Sequence, residues 1–167
     1  MVRSVSLALS ATVLLSACTA VGDSAKDDPD DGAARLDQVV PDVDRAGTAL
    51  GEDLADAFGG RTETGPTEFS VCSSAPVEGL SYLAQWRIRD ADRVPTLDAA
   101  TELASESGWE AVDVSPAQGQ LPAAALLSRE GVRATLSVDD GIIGWDVESS
   151  CIRVTSQEVQ RRAGPVG

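Results

Sequence analysis

The sequence predicts an α+β fold: one antiparallel sheet with two helices packed on one face, in the order α-β-β-α-β-β-β-β. Three observations predict it. Apolar side chains recur every three or four residues over residues 36–58, the spacing of a single helical face. Residues 81–89, 132–138 and 142–149 instead alternate between apolar and polar, as half-buried strands do. Glu130-Gly131 and Asp139-Asp140-Gly141 join such runs with hairpin-turn chemistry.

The first helix is expected within residues 35–60, where Leu36, Val39, Val40, Val43, Ala46, Leu50, Leu54 and Phe58 share a face and Gly59-Gly60 ends it. Pro41 falls inside this pattern, so the helix either begins there or is kinked. Gly47 and Gly51 lower helix propensity but would let a neighbour approach closely. Residues 67–73 read as a strand and 75–79 as a turn. Over residues 81–89, Tyr82, Ala84, Trp86 and Ile88 face one way and Gln85, Arg87 and Arg89 the other.

Pro95-Thr96 opens a second helix that ends at Gly108, with Leu97, Ala100, Leu103 and Ala104 inward. Residues 109–114 form a short strand. After a loop with Pro116, Gly119 and Pro122, the runs 123–129, 132–138 and 142–149 make a meander, which 151–154 continue. The tail QRRAGPVG reads as frayed. The economical packing lays both helices over the apolar sheet face and leaves Arg87, Arg89, Arg133 and Thr135 to water.

Ahead of this domain the chain opens MVRSVSLALSATVLLSAC. A positive end followed by an uncharged apolar run, too short for an ordinary spanning helix, is the pattern of a secretory signal peptide. The run closes on Leu15-Ser16-Ala17-Cys18, four residues that resemble the lipobox of bacterial lipoprotein precursors. That resemblance implies diacylglyceryl transfer to the Cys18 thiol and cleavage between Ala17 and Cys18. Buried acyl CH₂ groups contribute about 0.8 kcal/mol each and one chain binds only marginally, so stable anchoring takes two or three palmitate-length chains on Cys18.

The expected organisation is therefore a signal peptide over residues 1–17, a lipidated, acidic tether over 18–33 and one α+β domain over 34–167. DSAKDDPDDGAA holds five acids and no large apolar side chain, so it cannot offset its ordering entropy. It spans on the order of 20 Å. A calcium loop starting at Asp27 fails, because Pro29 stands where an oxygen ligand is required and Gln38 where a bidentate glutamate is.

The formal net charge of −14 is poorly suited to nucleic acid or to direct adsorption on acidic lipid. All but one of the 13 basic residues are arginine, a bias shared with proteins of GC-rich actinobacterial genomes. With Cys18 acylated, Cys72 and Cys151 remain as an even pair in an exported protein. Joined, they close a loop of about 80 residues worth around 4 kcal/mol in the chain-entropy model; the alternative is two separate buried thiols.

The chain has no histidine, which removes Ser-His-Asp, Cys-His and His-containing zinc arrangements. No nucleophile elbow, S-x-x-K or glycine-rich phosphate loop occurs, and no motif implies a cofactor. Glu102 and Glu106 lie one helical turn apart, which reads as an exposed helix face. Asp139-Asp140 reads as turn chemistry. Tyr82 and Trp86 share a strand face that could stack on sugar, yet with so few aromatics Trp86, Trp109 and Trp145 are better used as core.

The lipobox, a helix ahead of the sheet and the ending GWDVESSCI with its late cysteine resemble small actinobacterial lipoproteins of the mycobacterial LppA type, whose function is unassigned. The resemblance implies no active-site residues. The expected function is a non-catalytic binding or interaction module, lipid-anchored to the outer face of the cell membrane, with an envelope protein or cell-wall polymer as partner. The alternative is a small-ligand or lipid carrier with an apolar slot between helices and sheet, which needs a cavity of several hundred Å³.

Overall fold

The computed structural model describes residues 28–73, 78–119 and 121–164. Its elements are α1 (Gly32–Phe58), β1 (Arg61–Ser73), β2 (Gly79–Arg89), α2 (Leu97–Glu106), β3 (Glu110–Ser115), β4 (Ala124–Arg129), β5 (Val132–Asp139), β6 (Ile142–Ser149), β7 (Ile152–Arg153) and α3 (Ser156–Ala163). The strands form one antiparallel sheet of seven in the order β1-β2-β6-β5-β4-β3, with β7 beside β2. The α+β architecture and the element order are those the sequence predicts, with a third helix added after β7.

α1 lies across β2 and β6, and α2 across β3, β4 and β5, on the same face. α1 is longer than expected at its start. Gly32 and Ala33, expected in the tether, form its first turn, where the Gly32 backbone lies against the Arg153 carbonyl. Pro41 does not begin the helix; the helix runs through it with the proline ring exposed. An internal proline costs about 3 kcal/mol. Leu36 and Val43, on either side of it, are fully buried, and each such burial contributes about 1.5–3 kcal/mol. Burial outweighs the lost hydrogen bond.

β1 begins at Arg61 rather than at residue 67, with a register shift between Thr64 and Thr67. Gly65-Pro66 sits at that irregularity, and β1 is an edge strand, where a missing N–H leaves no partner unpaired. The β4–β5 and β5–β6 hairpins turn on Glu130-Gly131 and Asp140-Gly141, with positive φ at all four residues. That is the mirror-image turn matched to strand twist.

The run 151–154 leaves β6 at Ser149 and re-enters the sheet as β7, pairing Arg153 with Gly79 and Ile152 with Leu80. The tail is not frayed where it is described. Residues 156–163 form α3, capped by the Thr155 hydroxyl, which accepts from the Glu158 N–H at 3.3 Å. Val159 packs with Leu36, Leu80, Ile152 and Val154 in a second small core.

Candidate functional site

Ala17 and Cys18, the expected cleavage and lipid-attachment residues, lie outside the described residues. Cys72 and Cys151 are joined in a disulfide, with Cα atoms 5.8 Å apart. It ties the end of β1 to the segment between β6 and β7. α3 fastens the same region to α1. The Arg162 guanidinium donates to the Asp37 carboxylate at 2.7 Å and to the Ala33 carbonyl at 3.4 Å, and it lies 4.8 Å from the centre of the Phe69 ring. It is also ion-paired to Glu158, a buried carboxylate that Arg161 meets at 2.5 Å. The hydrogen bonds from Arg161, then those from Arg162, hold the Glu158 carboxyl below its ordinary pKa.

The two carboxylate pairs do not converge on a cleft. Glu102 and Glu106 are exposed on α2, and Asp139-Asp140 stand at the exposed tip of the β5–β6 hairpin. Among the described residues no group of three or more His, Cys, Asp or Glu gathers as metal ligands would. Trp86, Trp109 and Trp145 are all buried.

The helix–sheet interface is filled where the carrier reading would place its slot. Trp86 and Trp145 are opposite each other in the β2–β6 register, and their rings stack with centroids 6.3 Å apart and planes 6° from parallel. The Trp86 ring presses on Gly47, where any Cβ would overlap it, and a Cβ at Gly51 would lie 2.6 Å from Trp145 Cζ2. The Trp145 indole N–H donates to the Gly47 carbonyl at 3.0 Å. A depression of about 280 Å³ does lie between α1 and the β4–β5 hairpin, walled by Asp42, Arg45, Arg129 and Glu130. These charges balance, and Ala46, Ala49 and Val132 complete a lining of mixed character.

Among the described residues no helix packs on the opposite face of the sheet. At its centre stands Asp146 on β6, aligned with Gln85 on β2 and Thr135 on β5. It is half-buried and has no hydrogen-bond or ion partner among the described residues. Burial pushes its carboxyl above the usual carboxylate range. The nearby cations do not answer it. Arg87 and Arg89 both meet Glu63, at 2.7 and 3.2 Å, and the Arg87 hydrogen bond lowers the Glu63 pKa. Arg133 is exposed opposite Glu148, which accepts from the Ser81 hydroxyl at 2.5 Å.

The sequence reading places Arg87, Arg89, Arg133 and Thr135 on this watery face, and the structure does the same. It does not single out Asp146. Alternation of Ile143, Trp145 and Val147 points Asp146 outward, but only the strands on both sides of β6 give it a desolvated setting. Comparison with protein-family models, with curated proteins and with solved structures finds no match.

Proposed function

We propose that the chain is a lipoprotein of the bacterial cell envelope, anchored through acyl chains on Cys18, whose domain is a non-catalytic interaction module. The lipobox Leu15-Ser16-Ala17-Cys18 at the end of an uncharged apolar run carries this reading. The Cys72–Cys151 disulfide supports it, because such bonds persist on the oxidising side of a membrane. The partner is an envelope protein or a cell-wall polymer rather than nucleic acid, in keeping with the net charge of −14.

The carrier alternative has no support where α1 crosses β2 and β6, since indole rings and helix backbone occupy that space. The test is mass spectrometry of the mature protein extracted from its own membrane in mild detergent. The expected product lacks residues 1–17 and carries two or three acyl chains on Cys18, and the Cys18→Ser variant is unprocessed or unanchored. Normal processing and membrane retention of Cys18→Ser would overturn the reading.

A further inference from the structure

We propose that the face of the sheet opposite α1 and α2 is a docking surface for a partner protein that sets an arginine or lysine side chain against Asp146. The inference rests on the interaction-module reading and adds the face and the chemistry of the partner.

A strand position on an open face ordinarily holds a solvated side chain or an ion pair. Asp146 has neither. Gln85 and Thr135 flank it from the neighbouring strands, and Leu83 and Leu126, also half-buried, lie further out on the same face. Gly144, two residues away on β6, contributes no side chain, and the Ser137 hydroxyl beside it donates to its carbonyl at 3.4 Å. The charged groups near it on this face are Arg87 on β2, Arg133 on β5 and Glu148 on β6 itself, and Arg87 and Glu148 are already engaged by Glu63 and Ser81. A half-buried, unanswered charge works against stability. Departures from local consistency of this kind gather where a molecule binds.

Charge selects the occupant. A second copy of a chain with net charge −14 would be repelled overall, and so would a polyanion. All three tryptophans and Tyr82 are buried on the helix side, so this face offers no ring to stack on sugar. A cationic side chain on a polypeptide answers the carboxylate with a charge-assisted hydrogen bond, and Gln85 and Thr135 are placed beside it.

The test uses the full-length protein in its native membrane, with a photo-activatable benzophenone side chain in place of Thr135 and, separately, in place of Glu102 on the helix side. The expected result is a discrete protein adduct from position 135, joined to a partner segment that contains arginine or lysine. Its yield should fall at least about tenfold in Asp146→Asn and be largely kept in Asp146→Glu, while the purified Asp146→Asn protein melts no lower than the parent. An adduct at 135 that is indifferent to Asp146→Asn, a polysaccharide or nucleic-acid adduct there, or protein adducts from 102 alone would overturn this surface and leave an interaction module standing. Absence of adducts from both positions would overturn the module as well.

Discussion

Residues 47 and 51 set how closely α1 approaches the sheet. Alanine at either position would gain about 1 kcal/mol of helix propensity over glycine. The gain is smaller than the loss, because the added methyl group would enter the ring of Trp86 or Trp145. Overpacking of this kind costs about 1–3 kcal/mol, and a buried indole cannot step aside cheaply. Gly47→Ala should therefore lower the urea midpoint despite its better propensity. It should also red-shift the tryptophan emission as the Trp145 bond to the Gly47 carbonyl is disturbed. An unchanged or raised midpoint would mean that α1 can lift without consequence. The close approach was legible in the spacing of the two glycines; which rings fill it was not, because β2 and β6 are far apart in sequence.

Among the elements, α3 is the one the sequence reading left out, although a signal for it exists. Thr155 and Glu158 stand in the T-x-x-E spacing of a capping box, just before two arginines suited to a helix C-terminus. The segment holds so little apolar surface that periodicity is silent, and its helix depends on Val159 reaching the second core. The early start of β1 was hidden for a related reason, because Gly65-Pro66 reads as a turn and is tolerated only at an edge. The strands of the meander were read closely, since two-residue turns and alternation are both local signals. Glu158→Gln removes charge-assisted bonds to Arg161 and Arg162 and should cost about 1–3 kcal/mol at pH 7. Since the folded carboxyl titrates below its ordinary value, its contribution is present above a pH of about 4.3 and is lost as the pH falls through the lowered folded pKa. Urea unfolding at pH 7 and at pH 3 should show the gap between parent and Glu158→Gln closing in acid. A gap that stays constant would mean that the ion pairs contribute nothing.

For the whole molecule, the disulfide closes a sequence separation of 79 residues. The paired variant Cys72→Ser/Cys151→Ser should fold with the same tryptophan emission, since both cysteines are exposed and neither belongs to the indole core. Its unfolding free energy should be lower by about 2–4 kcal/mol, and reductant should move the parent to the same midpoint. A loss well under 1 kcal/mol would show that β7 and α3 already hold that end closed. Those two elements bear on how the chain is made. A ribosome delivers α1 first and β2, with Trp86, soon after, but the rest of what α1 rests on arrives late: Trp145, then the Arg153 carbonyl, and finally Arg162, which binds Asp37 from 125 residues away. Until then the stripe from Leu36 to Phe58 is covered only in part. The packing of α1 is thus completed only once residue 162 has emerged, and a product stalled before it presents part of that apolar stripe to whatever proteases and chaperones patrol for it.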